Sequence, residues 1–183
     1  MSLELLTPIE MAEADRRAIA AGPFDGYGLM LNAGRAVAAA VLQRFPDAAQ
    51  IDVLCGPGNN GGDGFVVARQ LAAGRELNVT VTVFVNGPKA DIKGDAKTNL
   101  DILLALGLPV RFEGEFTAAE VAAEVQAAAL LVDALYGTGL SRPIQGVTEG
   151  LIQVFNAFAG LRVSLDLPSG LDADTGEILG CAA

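Results

Sequence analysis

Two periods of apolar residues alternate along the chain, and each change of period marks the border of a predicted element. Short, nearly continuous apolar runs indicate strands buried on both faces of a sheet, and residues 79–85, VTVTVFV, are the clearest of these. Longer stretches with one apolar face indicate helices. The predicted strands are 51–55, 79–85, 109–112, 130–135 and 162–167, and the helices between them are 63–73, 94–106, 117–129 and 147–159.

Two further helices are predicted ahead of the first strand. Thr7, Pro8 and Glu10 provide the cap, the first-turn proline and the capping-box glutamate of one helix. A second helix is predicted over residues 27–44 and ends before Pro46. The regular alternation that follows predicts an α/β fold, a three-layer, Rossmann-like, doubly wound and mainly parallel sheet with helices on both faces.

Polar or glycine-rich loops follow three of the predicted strands. Residues 56–63 come after the first strand, 136–146 after the fourth and 168–176 after the fifth. Ligands of doubly wound sheets bind beyond the carboxyl ends of the strands. The three loops therefore predict one shared binding site.

The first loop fits the pattern G-x-G-x-x-G over residues 56–61. Alone this is a weak sign of dinucleotide binding, because the second strand ends at Asn86, where an acid would bind a ribose. A Walker phosphate loop is excluded, since no Gly-Lys-Ser/Thr follows. A tight turn without a ligand would need the glycines but not Asn59, Asn60 and Asp63, so we expect the loop to hold a polar ligand.

Two carboxylates lie among apolar residues near strand ends. Asp133 falls within the fourth strand, where an unpaired buried carboxylate costs roughly several kcal/mol and needs a cation, a donor network or a strand-end position. Asp166 ends the fifth strand, and alternation puts Ser164 on the same face. Each has a plainer interpretation, because Asp133 can accept from loop amides and Asp166 can cap a turn. Arg142 is the one nearby positive charge.

The composition narrows the chemistry of such a site. The formal charge of −10 argues against general affinity for nucleic acid or anionic membranes. The absence of histidine from the sequence excludes histidine acid–base catalysis, Ser-His-Asp triads and histidine-bound zinc. Two widely separated cysteines are expected to be reduced thiols of a cytoplasmic protein. Oxygen ligands with little net charge favour an alkali cation over zinc.

With these segments in hand, the sequence resembles the NAD(P)H-hydrate epimerase family, also described as the YjeF N-terminal domain. The matching segments are LMLNAGR at 29–35, GPGNNGGDG at 56–64, KGDA at 93–96, VDALYGTG at 132–139 with Arg142 and Pro143, and DLPSG at 166–170 followed by Asp172. The resemblance implies an isomerase that interconverts the R and S forms of hydrated NADH and NADPH (NADHX and NADPHX) at C6 of the nicotinamide ring. This metabolite-repair step feeds an S-specific, ADP- or ATP-dependent dehydratase.

The resemblance also implies the residues of the site. Asp166 is expected to be catalytic, and we expect partial burial to make its carboxyl group both acid and base. One potassium ion per subunit is expected at Asn60, Asp133 and Ser169. The substrate-binding residues implied are Asn59, Asn60, Gly61, Gly62, Asp63, Gly137, Thr138, Gly139, Leu140, Ser141, Arg142, Pro143 and Asp166.

Further expectations concern the protein as a whole. Residues 1–183 are treated as one domain that lacks its last strand and helix, and any fused dehydratase domain. A homodimer through the N-terminal helices is implied by the family. Residues 1–6 lack the features of a secretory signal, and the apolar runs are shorter than the ~20 residues that cross a bilayer. The alternative is a non-catalytic nucleotide- or protein-binding module, as in the decapping-enhancer and apolipoprotein-A-I-binding proteins; retention of Asp166 with the potassium set favours an enzyme.

Overall fold

A computed structural model describes residues 6–73 and 79–183 of the chain. In these two ranges the strands are β1 (Gln50–Cys55), β2 (Thr80–Val85), β3 (Val110–Phe112), β4 (Leu130–Ala134) and β5 (Leu161–Ser164). The α-helices are α1 (Pro8–Ala21), α2 (Gly26–Arg44), α3 (Asn59–Ala73), α4 (Gly94–Ala105), α5 (Ala118–Glu124) and α6 (Val147–Ala157). Two short 3₁₀ helices cover Lys89–Asp91 and Val125–Ala127.

The five strands form one parallel sheet in the order β3-β2-β1-β4-β5. Cys55, at the end of β1, lies in register with Val85 of β2 and Ala134 of β4. The direction of winding reverses between β1 and β4, which makes their carboxyl ends the topological switch point where such folds bind ligands. The predicted doubly wound, Rossmann-like fold is confirmed.

Alternate side chains of the strands fill two hydrophobic cores on opposite faces of the sheet. Val53 and Val83 face the core that contains α2, α3 and α4. Leu54, Phe84 and Leu131 face the core that contains α5 and α6. Since both faces are covered, the strands are apolar at successive positions, as the sequence pattern predicted.

The structure moves a border of three predicted elements by more than two residues. Helix α3 begins at Asn59, four residues before the predicted start, because Gly61 and Gly62 are buried in close packing that holds the first turn helical. Strand β5 ends at Ser164, since the chain then turns towards Thr138. The predicted helix 117–129 divides into α5 and the 3₁₀ turn Val125–Ala127.

Helix α1 is the least buried helix of the described chain. Its predicted capping box is present, with the Thr7 hydroxyl accepting from the Glu10 N–H and the Glu10 carboxylate accepting from the Thr7 N–H. None of its residues is buried, and Ile9 is 78% exposed. No helix in the ranges 6–73 and 79–183 has the length and apolar character needed to cross a membrane. The expectation about a secretory signal concerns mainly residues 1–5, which lie outside the described residues.

Candidate functional site

Asp133 is fully buried at the carboxyl end of β4, where four donors surround its carboxylate. Its Oδ1 accepts from the Leu135 N–H at 3.2 Å and from the Ser169 hydroxyl at 2.5 Å. Its Oδ2 accepts from the Ser169 N–H at 2.8 Å and from the Ser164 hydroxyl at 3.0 Å. A carboxylate has about four lone-pair positions, so the charge is fully hydrogen-bonded. The plainer interpretation, in which Asp133 accepts from loop groups, describes these contacts correctly.

Ser169 ties the loop after β5 to the loop after β4. Besides its two contacts with Asp133, its hydroxyl accepts from the Tyr136 N–H at 2.8 Å and lies 3.0 Å from the Tyr136 carbonyl oxygen. Ser169 is 1% exposed, so these bonds form away from water. The structure therefore brings Asp133 and Ser169 into direct contact.

Asp166 rests on the turn that follows β4. Its Oδ2 accepts from the Thr138 N–H at 3.0 Å. A Cβ atom at Gly137 would overlap this same oxygen, so the approach requires glycine. The expected partial burial of Asp166 is wrong. The residue is exposed, because β5 ends at Ser164 and the chain carries Asp166 beyond the sheet edge.

The loop between β1 and α3 packs backbone against backbone. The Gly56 N–H donates to the Ala134 carbonyl oxygen at 3.0 Å. A Cβ at Gly56 would overlap the Leu135 carbonyl oxygen, and a Cβ at Gly61 would overlap the Gly56 carbonyl oxygen. The absence of side chains at these two glycines lets the first turn of α3 lie beside the end of β4.

Two polar side chains of this first turn differ from their neighbours in having no partner. The Asn60 Nδ2 atom is buried and forms no hydrogen bond within the described residues. Asp63 is half-buried, and this burial, followed by the negative charges of Asp166 and Asp15, raises the pKa of its carboxyl group to about 7. The first turn of α3 thus holds an amide nitrogen and a carboxyl group that have no hydrogen bonds within the described residues.

The predicted potassium ligands offer oxygen donors but no complete shell. Asp133 and Ser169 touch, whereas Asn60 has no hydrogen bond to either. The Asn60 amide can present either its oxygen or its nitrogen to the same point. Within the described residues, no group of three or more His, Cys, Asp or Glu side chains could hold a metal ion. The donor types suit an alkali cation. Neutralising Asp133 does not require one, because its four hydrogen bonds already compensate the charge.

The second half of the predicted substrate loop borders a cavity of about 290 Å³ above α6. Arg142 lies here, exposed, and forms no ion pair within the described residues. The structure thus puts Arg142 in the wall of this cavity and shows no hydrogen bond from it to either site carboxylate. The residues that line the cavity are Tyr136, Leu140, Arg142, Pro143, Ile144, Gln145 and Thr148.

Sequence reasoning missed the polar contact behind this cavity. Asn86 follows β2 and donates to the Thr148 hydroxyl at 2.5 Å, with the Tyr136 hydroxyl at 3.4 Å. Asn86 is 7% exposed and shares a sheet face with Phe84, opposite to α3. It therefore does not replace the ribose-binding acid of a dinucleotide fold. A polar residue directly after an apolar strand was the one signal available for it.

Two comparisons of sequence agree on the kind of protein that this chain is similar to. The family described as "YjeF-related protein N-terminus" matches residues 26–183. An NAD(P)H-hydrate epimerase of Rhodobacter capsulatus is 40% identical over 93% of this chain and 79% of its own length. A bifunctional NAD(P)H-hydrate repair enzyme Nnr of Thermanaerovibrio acidaminovorans is 40% identical over 98% of this chain. The chain spans 29–34% of the length of this and other bifunctional relatives.

A solved structure extends the similarity to three dimensions. The crystal structure of yeast ynu0, YNL200c, superposes with a TM-score of 0.81 at 28% sequence identity. The alignment covers 96% of this chain and 75% of the yeast chain.

Proposed function

The chain belongs to the family of YjeF-related N-terminal domains, and on this premise we propose that it is an NAD(P)H-hydrate epimerase, an isomerase of NADHX and NADPHX. Relatives that carry this name match over most of their own length as well as most of this chain. The relatives that name an activity name an enzyme, which favours catalysis over the alternative of a non-catalytic binding module.

The observation that carries the proposal is the setting of Asp166. The Thr138 N–H fixes Oδ2, and Oδ1 forms no hydrogen bond within the described residues. One oxygen is thereby oriented while the other stays available to a hydroxyl group or a water molecule. The carboxylate lies at the switch point of the sheet, where the loops after β1, β4 and β5 meet and where folds of this class bind ligands.

The reaction needs a group that exchanges protons with the hydroxyl oxygen on C6. The hydrate carries a hydroxyl at C6 next to the ring nitrogen and so resembles a carbinolamine. Protonation of this hydroxyl lets the C–O bond break, and the nitrogen lone pair forms an iminium. Water then adds to either face, and the electron pair of the C=N bond returns to nitrogen. We assign the proton exchange to Asp166, a role typically worth roughly 10²–10⁴ in rate.

Potassium is proposed at Asn60, Asp133 and Ser169, where it would fix the loops after β1, β4 and β5 together. The oxygen donors of the three residues and the unpartnered Asn60 amide support this assignment. A bound alkali cation would supply electrostatic attraction for these oxygens. We expect the melting temperature of the protein to fall when lithium replaces potassium in the buffer. Equal melting temperatures in the two salts would remove the ion from the proposal.

The function is tested with the purified R epimer of NADHX in potassium buffer, with both epimers followed by chromatography. We expect the S epimer to appear well above the rate of a protein-free control. Asp166→Asn should lose about 100-fold or more of that rate. Asp174→Asn is the matched control, since Asp174 is an exposed carboxylate eight positions further along the chain. A wild-type rate in Asp166→Asn would contradict the role assigned to Asp166. Absence of turnover by the wild-type protein would contradict the proposed epimerase function.

The remaining proposals concern partners and place. A dehydratase is the proposed next enzyme, as the name of the bifunctional relatives favours. Exposed apolar side chains around α1 support a homodimer through the N-terminal helices, which light scattering would test; these are Leu6, Ile9, Met11, Ile19 and Phe24. Free thiols at Cys55 and Cys181 support a cytoplasmic location.

A further inference from the structure

Asp63 has the most unusual carboxyl group of the site. It is half-buried, yet no hydrogen bond and no ion pair within residues 6–73 and 79–183 involves its carboxylate. It differs in this from Asp133, which is deeper but has four donors. Burial without donors favours the neutral form of a carboxyl group.

The backbone holds Asp63 in a fixed position. A Cβ at Gly62 would lie 2.8 Å from the Met30 sulfur of α2 and 3.0 Å from the Ala96 Cα of α4. A Cβ at Gly34 of α2 would lie 3.0 Å from the Asp63 carbonyl oxygen. The first turn of α3 is thus wedged between α2, α4 and the end of β4, and the Asp63 side chain starts from a rigid base.

Asp63 and Asp166 form a pair with opposite surroundings. Asp166 is exposed, and its Oδ2 accepts the Thr138 N–H at 3.0 Å. Asp63 is shielded and lacks donors, and its pKa is raised to about 7 by burial, then by the charges of Asp166 and Asp15. A shielded carboxyl group that favours its neutral form and an exposed one held by a backbone donor, at the same edge of the sheet, can serve as acid and base in one site.

We propose that Asp63 is a second catalytic carboxyl group, so that Asp63 and Asp166 each exchange protons with the hydroxyl on one face of the nicotinamide ring. This inference rests on the proposed epimerase function. Inversion at C6 requires the oxygen to leave from one face and to return on the other, and a second group removes the need for one carboxyl to reach both.

The proton balance of the pair closes with a single shared proton. In one direction, neutral Asp63 protonates the departing hydroxyl, the C–O bond breaks and water leaves. Water adds to the opposite face of the iminium, its proton passes to the Asp166 carboxylate, and the electron pair returns to the ring nitrogen. In the other direction the two residues exchange roles. Solvent resets the proton between the two carboxyl groups after each turnover.

Isotope exchange in water labelled with heavy oxygen separates the two faces. Each purified NADHX epimer is incubated with wild-type protein, Asp63→Asn or Asp166→Asn, and label and configuration are read by chromatography with mass spectrometry. We expect wild-type protein to label and invert both epimers. Each variant should lose inversion by about 100-fold or more but still label one epimer, and the two variants should label opposite epimers.

The outcomes keep this proposal apart from the function on which it rests. Wild-type protein that neither labels nor inverts would refute the epimerase itself. Asp63→Asn that labels and inverts both epimers at saturating substrate, with only KM raised, would leave Asp63 a binding residue and overturn the proposal. Loss of all labelling in both variants, with melting temperatures unchanged, would overturn the assignment of one carboxyl to each face.

The pH profile gives a second readout through α1. The rate should fall as pH rises through about 7, because the pair then loses its shared proton at Asp63. The charged groups that act on Asp63 are Asp166 after β5 and Asp15 in α1. Asp15→Asn removes one of these charges, so we expect the falling limb to move to lower pH with the same maximal rate. The assignment of the falling limb to Asp63 would be overturned if that limb kept its position in Asp15→Asn and was still present in Asp63→Asn.

Discussion

Asp52 and Asp133 are both buried carboxylates of neighbouring central strands, and they are held in opposite ways. Asp133 has four donors, one from Leu135 directly after β4 and three from Ser164 and Ser169 of the β5 segment. Asp52 is 1% exposed in β1, and its Oδ1 has no hydrogen-bond partner within the described residues. The two carboxylates are therefore equally buried, but only Asp133 has hydrogen bonds at both of its oxygens.

Position along the strand explains the difference. Asp52 lies towards the amino end of β1, which pairs with β2 on one side and β4 on the other, so the nearby backbone N–H groups are used in the sheet. Asp133 lies where β4 ends, and the adjoining loops have N–H and hydroxyl groups to spare. A buried carboxylate marks a prepared site when loop donors reach it, and burial alone does not.

The largest effect is expected from Asp133→Asn, which alters the carboxylate that has the full set of donors. The asparagine amide turns one acceptor into a donor that faces the Ser169 N–H or the Ser169 hydroxyl. An unsatisfied buried donor and the lost charge-assisted bonds should lower the free energy of unfolding by about 3–4 kcal/mol. Denaturant unfolding at neutral pH measures this, and a loss below about 1 kcal/mol would contradict the importance of the donor set.

A smaller loss is expected from Ser169→Ala, which removes one partner and keeps the charge. Asp133 Oδ1 loses its shortest contact, and the Tyr136 N–H loses its acceptor. We expect unfolding to need about 2 kcal/mol less free energy than in wild-type protein. Ser141→Ala serves as the control, because Ser141 is exposed and its hydroxyl forms no hydrogen bond within the described residues. Equal stability of the two variants would show that the network is not important.

The smallest effect, of opposite sign, is expected at Asp52. Burial raises the pKa of its carboxyl group from 3.8 to about 6; a hydrogen bond with the Thr82 side chain opposes this and the charge of Glu124 adds to it. Because the folded pKa lies above the unfolded one, the contribution to stability is complete below about 3.8 and is lost as pH rises through about 6. Removal of the charge alone would stabilise the protein by up to about 3 kcal/mol at about pH 8. Because asparagine is a weaker acceptor for the Thr82 side chain, we expect a net stabilisation of about 1 kcal/mol at about pH 8, and hardly any at about pH 4.

Thermal melting at the two pH values checks this last prediction. One kcal/mol corresponds to a shift of roughly 2–4 °C for a chain of this size. Asp47→Asn is a matched control, since Asp47 is an exposed carboxylate just ahead of β1. A lower melting temperature for Asp52→Asn at about pH 8 would contradict the prediction and mean that the hydrogen bond with Thr82 outweighs the cost of burying the charge.

The sequence predicted the fold because the pattern of β1, β2 and β4 leaves little choice: apolar residues at successive positions need a sheet covered on both faces. The loop pattern predicted one shared edge of the sheet, whereas the grouping of Asp133 with Ser169 came from the resemblance to the family. The sequence did not distinguish Asp52, because IDVLC and LVDAL both contain one acid in an apolar run. The contrast depends on which N–H groups the neighbouring strands leave free.

The misplaced features share another physical cause. Glycine lowers helix propensity, so the start of α3 was predicted after Gly61 and Gly62, but tertiary packing of these glycines overrides that preference. Asp166 was expected to be partly buried because it follows apolar residues, whereas the turn onto Thr138 exposes it. The raised pKa of Asp63 comes first from burial and then from the charges of Asp166 and Asp15, which lie about 100 and 50 positions away along the chain.

The glycines around the site also indicate where the protein can be redesigned. Substitution at Gly56, Gly61 or Gly137 meets backbone or the Asp166 carboxylate at once. At Gly58 and Gly139, an added Cβ would meet no atom of the described residues within 4 Å. A directed-evolution library that seeks altered substrate preference should therefore randomise positions 58 and 139 and leave the other three fixed. Substitutions at these two positions would change the loops around the site without displacing the backbone or Asp166.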